Sequence, residues 1–285
     1  MKKVIYYFTG TGNSMRAAIK IAKRLQDTCI VSMRSNPEEV PAADCEVIGF
    51  VFPIYRWTMP EPAVRFVEKL QINPKAYIFA VAMPSFILGD GCERLERILE
   101  TKGAKLSYGA KVNSVANYVL VYPPMPLPKY AVPKAEKKLD QIAQQIAFRK
   151  TRAYPKENKF IPKLHQKVME PYEKLQKDAD LPFTISKNCI HCGICARVCP
   201  VNNISIVDGK PVFHHKCAQC MACVSFCPQR AIGYDLKQED IADQIKEFKK
   251  VPIAKMMGLP AGRKRYHNPY ITAADIAQNE RKVDQ

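Results

Sequence analysis

Val4-Ile5-Tyr6-Tyr7-Phe8-Thr9-Gly10-Thr11-Gly12-Asn13-Ser14 decides how the first half of this chain folds. Val4 to Phe8 form an unbroken apolar run, as a strand buried on both faces requires. The run ends at two glycines set among hydroxyl side chains. Glycines let the backbone turn tightly and aim successive N–H groups at one anion, and Thr9, Thr11 and Ser14 add donors. Ser14 to Leu25 then carries Met15, Ala18, Ile19, Ala22 and Leu25 at helical spacing, so a helix points its positive end at the same spot. No lysine stands in the loop, which excludes a P-loop, and Met15 occupies the third glycine position of a dinucleotide fingerprint. What remains is a site for a monophosphate.

The alternation of strand and helix patterns continues. Cys29-Ile30-Val31, Val47 to Phe52, Tyr77 to Ala82 and Val112 to Val121 read as strands. Glu61 to Leu70 and Cys92 to Leu99 read as helices. Repeated βαβ units predict a parallel sheet with helices on both faces. Pro123 to Pro128 is a loop, because proline suits neither helix interior nor central strand. Helical patterns follow at Lys134 to Arg149 and at Phe160 to Lys177.

The loop Thr9-Gly10-Thr11-Gly12-Asn13-Ser14 resembles the flavodoxin phosphate loop, T-x-T-G-N-T, departing from it at Ser14. The resemblance covers residues 1–150. It implies an α/β, flavodoxin-like doubly wound parallel sheet of strand order 2-1-3-4-5, with FMN at the switch point. The six loop residues would hold the FMN phosphate. Two later loops would flank the flavin ring. Pro53 to Pro60 offers Tyr55 or Trp57 for stacking, and the residues do not choose between them. Pro84 to Gly91 offers Ser85, Phe86 and Gly89, whose region lets backbone groups approach the polar edge of the ring. The aromatic spacing departs from that of ordinary flavodoxins, and the alternative is that these aromatics cap the sheet. Asn117-Tyr118 lies near the same pocket or is structural.

The second half is decided by cysteine. Of eleven cysteines, eight lie between Cys189 and Cys227. They repeat with a shift of 28: Cys189, Cys192, Cys195 and Cys199 become Cys217, Cys220, Cys223 and Cys227, and Pro200 becomes Pro228. Clustered thiolates in a reducing compartment bind metal more often than they pair. Zinc is the rival, but structural zinc sites use two C-x2-C pairs and a longer spacer. Each half here is C-x2-C-x2-C-x3-C-P, which resembles the bacterial two-cluster ferredoxins, a small α+β fold, over residues 186–236. That resemblance implies two 4Fe-4S clusters with crossed ligation: Cys189, Cys192, Cys195 and Cys227 on one, and Cys217, Cys220, Cys223 and Cys199 on the other. Ile206 to Phe213 reads as a hairpin with an Asp208-Gly209 turn. With eight sulfurs assigned, His191, His214 and His215 are surface residues. Cys29 and Cys45 read as buried, inert thiols. Cys92 is either a thiol activated by a helix start or a residue packed against the sheet.

The chain has 285 residues, 47% hydrophobic and 25% charged, the balance of a globular protein of about two domains. The expected organisation is a flavodoxin-like FMN-binding domain at 1–150, a helical connector at 151–185, a two-cluster ferredoxin domain at 186–236, and a C-terminal helix (Ile241, Ile245, Phe248) and irregular tail at 237–285. The formal net charge is +17. It is spread along the chain apart from Arg263-Lys264-Arg265, read as a solvated tail. Anionic cofactors would remove roughly six charges. The remainder suits an acidic redox partner protein, or is a solvated lysine-rich surface; nucleic acid is not favoured. No apolar run reaches the ~18 residues of a membrane span. Met1-Lys2-Lys3 mimics the start of a signal peptide, but Val4 to Phe8 is too short for its apolar region, so the expected location is cytoplasmic.

Taken whole, the chain resembles fusions of a flavodoxin-like domain with a two-4Fe-4S ferredoxin, a family of flavin and iron–sulfur electron carriers. Three functions fit. The first is an intracellular electron-transfer protein relaying electrons between 4Fe-4S clusters and FMN. The second is a flavin-dependent reductase of a small oxidised substrate fed by the clusters. The third is a redox-responsive nucleic-acid-binding protein. The first leads, because every motif holds a carrier and none holds a substrate, and no catalytic residue is nominated.

Overall fold

The computed structural model describes residues 2–157, 179–250 and 252–283. The helical stretch expected at Phe160 to Lys177 lies outside the described residues.

The long apolar runs become strands β1 (Lys3–Tyr7), β2 (Thr28–Ser32), β3 (Val47–Pro53), β4 (Tyr77–Met83) and β5 (Tyr108–Lys111). They pair in parallel in the order 2-1-3-4-5, as expected. Helices cover both faces, so β1, β3 and β4 are buried nearly throughout. On one face lie α1 (Asn13–Leu25) and α4 (Pro128–Ala147), which bring Met15, Ile21, Leu139 and Ile146 to the core. On the other lie α2 (Glu61–Lys69) and α3 (Gly91–Thr101), which bring Val64, Val67, Leu95 and Leu99. Ion pairs clamp α1 to α4: Arg16 reaches Glu136 at 2.7 Å, and Lys20 reaches Glu136 at 3.1 Å and Asp140 at 2.7 Å. Helix α4 begins six residues before the expected Lys134, with Pro128 in its first turn, where a missing N–H costs nothing.

Two expectations are corrected. The last parallel strand is Tyr108–Lys111, not Val112 to Val121. Val112 stays in the sheet core and Val115 packs on Val132 and Tyr266, while Tyr118 to Val121 serve an interface instead. Val119 and Leu120 are fully buried against Met221, Val224 and Ile232 of the cysteine-rich half. The C-terminal tail is not irregular. Residues Ala273–Ala277 form a capped helical turn, and β10 (Glu280–Val283) adds to β2 as an antiparallel edge strand. Three of its four residues are exposed, so backbone pairing builds the strand and no side-chain alternation announces it. The helix expected around Ile241, Ile245 and Phe248 is a turn followed by Lys246–Lys250, although all three apolar side chains are buried.

The cysteine-rich half carries its repeat into the backbone. β6 (Phe183–Ile185) pairs with β9 (Ile232–Tyr234), and β7 (Ile204–Val207) pairs with β8 (Lys210–Phe213), both antiparallel. A shift of 28 residues carries β7 onto β9. Left-handed residues recur at the same shift: His191 and Gln219, Gly193 and Met221, Asn202 and Arg230. The hairpin turn at Asp208-Gly209 is left-handed at both residues, the type I′ geometry that matches strand twist. Among the described residues no helix is long and apolar enough to cross a membrane.

Candidate functional site

Loops following β1, β3, β4 and β5 converge on a cavity of about 440 Å3. It lies where the strand order reverses between β1 and β3, the place where doubly wound sheets bind ligands. Thr9, Gly10, Thr11, Asn13 and Ser14 line one end. The Ser14 hydroxyl is buried and has no hydrogen-bond partner among the described residues. A buried polar group left unpaired costs about 1–3 kcal/mol. Its place in the wall of a glycine-rich loop at a helix start fits an anion that accepts from it, as a flavin phosphate would.

Gly12 faces away from the cavity. Its φ is +94°, and a Cβ there would lie 2.9 Å from Cβ of Ile271. Its N–H donates to Thr9 Oγ1 at 3.1 Å. Glycine is needed at this position for the turn and for the close approach of the C-terminal segment.

Tyr55 and Trp57 line the other end. They belong to a tight turn in which the Tyr55 N–H donates to the Thr58 carbonyl at 3.1 Å and the Thr58 N–H returns to Tyr55 at 3.0 Å. Arg56 and Trp57 sit at φ of +49° and +64°, a type I′ arrangement without the usual asparagine or glycine. Ser85 and the exposed Phe86 line the cavity. Gly89 does not. A Cβ on Gly89 would overlap the Trp57 carbonyl oxygen, which also accepts from Asp90 N–H at 3.2 Å. The expectation that Gly89 opens the backbone to the flavin ring is therefore corrected: it makes room for the Trp57 loop and braces it.

The cavity also takes in Ser114 to Tyr118, Tyr122 and Met125 from the loop after β5. Asn117 and Tyr118 were visible as candidates; the others were hidden while 112–121 read as strand. Asn117 Oδ1 is buried and has no hydrogen-bond partner among the described residues, while its Nδ2 donates to Ser225 Oγ at 3.0 Å and to the Tyr266 carbonyl at 2.8 Å. No linear pattern placed Gln219, Cys220 and Met221 at this cavity, which they close from the cysteine-rich half. The contact is tight. A Cβ on Gly10 would overlap the Cys220 carbonyl oxygen and lie 2.8 Å from the Tyr55 hydroxyl oxygen. Tyr118 donates to Gln219 Oε1 at 2.9 Å across the same seam.

Two smaller cavities lie within the cysteine-rich half. Cys189, Cys192, Cys195 and Cys227 line one. Cys199, Cys217, Cys220 and Cys223 line the other. The fourth cysteine of each motif thus stands in the wall of the opposite cavity, the crossed grouping that a pair of cubanes needs. Among the described residues no three His, Cys, Asp or Glu side chains close on a point as a single metal ion requires; each quartet surrounds a void. Backbone N–H groups reach the sulfurs of Cys199, Cys217 and Cys227 at 3.2, 3.3 and 3.2 Å. Such bonds favour the reduced, more negative state of a cluster. Burial pushes the Cys220 thiol up to about 12 and raises Cys199, Cys217 and Cys223 in the same direction. Those sulfurs become thiolates readily when bound iron supplies the compensating charge.

The two quartets differ in setting. Cys192 is exposed, beside Ile190 at 57% exposure, whereas its counterpart Cys220 lines both its own cavity and the large one. His191, His214 and His215 are exposed, as expected. Cys92 is 1% exposed and burial raises its thiol to about 12, so the packed reading stands and the activated thiol does not. The tail is also corrected. Arg265 is half-buried and donates to the carbonyls of Val224, Arg230 and Ile232 at 2.9–3.1 Å, while Tyr266 is buried against the phosphate loop.

Residues 188–232 match the family described as 4Fe-4S dicluster domain. An uncharacterized ferredoxin of Methanocaldococcus jannaschii is 32% identical over 94 residues, 30% of this chain and 59% of that protein. A component of an ion-translocating oxidoreductase complex of Methanosarcina acetivorans is 35% identical over 57 residues, 20% of this chain and 22% of that component. The chain thus spans less than two thirds of either curated relative. A Streptococcus flavodoxin structure overlays 52% of this chain and 99% of its own, at 14% identity and a TM-score of 0.38. With strand order 2-1-3-4-5 on one side and the dicluster match on the other, the chain is a fusion of a flavodoxin-like α/β domain with a 4Fe-4S ferredoxin domain.

Proposed function

We propose that this chain is an electron-transfer flavo-iron–sulfur protein that relays electrons between two 4Fe-4S clusters and FMN. The observation that carries the reading is the shared wall: Cys220 belongs to a cysteine quartet and to the cavity bounded by Thr9–Ser14, Tyr55 and Trp57. When bound, an iron–sulfur cluster carries one electron at a time and a flavin one or two, so their pairing couples one-electron and two-electron chemistry.

The chain's own residues supply position and shielding. Ser14 and the loop amides hold the phosphate. Tyr55, Trp57 and Phe86 offer apolar surface to the ring. The Cys220 loop closes the site against water and sets the second cluster beside it. The exposed Cys192 edge is where a partner meets the first cluster, and the basic surface suits an acidic one.

The test is iron and flavin content of anaerobically purified protein, followed by rapid reduction of the clusters with the flavin absorbance recorded. About eight irons and one FMN, with the flavin reduced after the clusters, is the expected result. Iron without flavin, or a flavin that stays oxidised while the clusters are reduced, overturns the relay.

A further inference from the structure

The C-terminal segment, expected to be solvent-exposed, is built into the phosphate loop. Asn268 N–H donates to the Thr11 carbonyl at 2.8 Å. Asn268 Nδ2 donates to Asn13 Oδ1 at 3.1 Å, and the Tyr266 hydroxyl donates to the same oxygen at 2.8 Å. Ile271 fills the space left by the missing side chain of Gly12. Just upstream, Arg265 ties the segment to three carbonyls of the ferredoxin half, and the His267 ring stacks on Phe226 at 4.6 Å.

A side-chain amide has one accepting end and one donating end. At Asn13 the accepting oxygen is taken twice by the tail. The donating nitrogen lies on the side of Val115, a cavity residue, to whose carbonyl it donates at a long 3.5 Å; an amide nitrogen carries two hydrogens, so this bond leaves one for a further acceptor. Asn13 itself lines the cavity at the start of α1. For an anion the donating end is favourable and the accepting end repulsive. Turned the other way, the same residue would present oxygen to phosphate.

We propose that residues 265–271 form part of the flavin phosphate site: Tyr266 and Asn268 are positioning residues that fix the Asn13 amide with its donor toward the phosphate, and Arg265 links that arrangement to the docked ferredoxin half. The proposal rests on the reading of Thr9–Ser14 as a phosphate-binding loop. It gives one strap two attachments, so that loosening the strap weakens flavin binding without touching a cluster ligand.

The test titrates FMN, and riboflavin as its phosphate-free analogue, into cluster-loaded, flavin-free full-length protein. Asn268→Ala and Tyr266→Phe should each weaken FMN binding about fivefold to twentyfold, leave riboflavin binding and iron content unchanged, and move the 31P resonance of bound FMN. In an Asn13→Ala background, Asn268→Ala should add almost nothing, because the two side chains act as one unit. Thermal unfolding of the flavin-free proteins monitors folding. Lower thermal stability with unchanged FMN affinity, or full additivity with Asn13→Ala, overturns the proposal. If the wild-type protein binds riboflavin as tightly as FMN, the phosphate reading itself falls and the proposal with it.

Discussion

A methyl group at Gly10 has no room, because the Cys220 backbone and the Tyr55 hydroxyl already occupy its place. Flexible side chains could yield, but a carbonyl on a cysteine loop moves only with the loop. Gly10→Ala should therefore cost about 1–3 kcal/mol of stability in denaturant unfolding. FMN retention should fall while iron content holds. Unchanged stability and flavin content would show that the seam is not held at this point. Ser14 gives the opposite sign. Its hydroxyl is buried without a hydrogen-bond partner among the described residues. Ser14→Ala removes an unpaired polar group, so flavin-free protein should unfold no more easily, and by up to about 1 kcal/mol less easily. FMN affinity should nevertheless fall about tenfold in a fluorescence titration, since a charge-assisted bond is lost. Equal FMN affinity would remove Ser14 from the phosphate site. Both residues lie in the stretch that announced the fold, yet the reason for Gly10 became visible only with Cys220 beside it, about two hundred residues along the chain.

The α1–α4 pair shows what an element owes to charge. Burial alone would push the Glu136 carboxyl up, but hydrogen bonds and charge from Arg16 and Lys20 outweigh it and hold Glu136 below its ordinary value of 4.5. A carboxyl lowered in the folded state stabilises above its unfolded value and loses that contribution as pH falls through the lower folded one. Glu136→Gln should thus cost about 1.5–3 kcal/mol at neutral pH, and its deficit against wild type in urea unfolding should shrink below about pH 4.5. A deficit independent of pH would assign the loss to packing. Elements also divide by how plainly they were written in the sequence. β1, β3 and β4 are continuous apolar runs because helices bury both faces, and the cysteine repeat of 28 residues survives as paired left-handed turns. β5 is Tyr-Gly-Ala-Lys and β10 is Glu-Arg-Lys-Val; both are built by backbone pairing that side chains do not advertise. Residues 118–121 were apolar for a different reason, their burial against the ferredoxin half. An apolar run reports burial, and sheet and interface bury alike.

At the scale of the whole molecule the question is whether the ferredoxin half moves to deliver an electron. Val119 and Leu120 share a core with Met221, Val224 and Ile232, and Val198 and Phe226 share another with Ile271 and Ile276. Tyr118–Gln219, Asn117–Ser225 and the three carbonyl bonds of Arg265 cross the same boundary. A seam of this kind, apolar and hydrogen-bonded, favours permanent docking over a swinging domain, for which interfaces are smaller and more polar. The passage of electrons from clusters to flavin should then be a first-order process. Its rate should not depend on protein concentration. Raising the salt from about 50 mM to about 500 mM should leave it unchanged, because buried contacts are little screened. Delivery from an acidic donor protein to the exposed Cys192 edge should slow steeply over the same range, since a chain that stays basic after its anionic cofactors are counted attracts that donor through water. Stopped-flow absorbance separates the two steps when a small neutral reductant replaces the donor. An internal step that slows with salt or with added viscosity would mean that the halves part between electrons, and the docked arrangement would then be a resting form and not the conducting one.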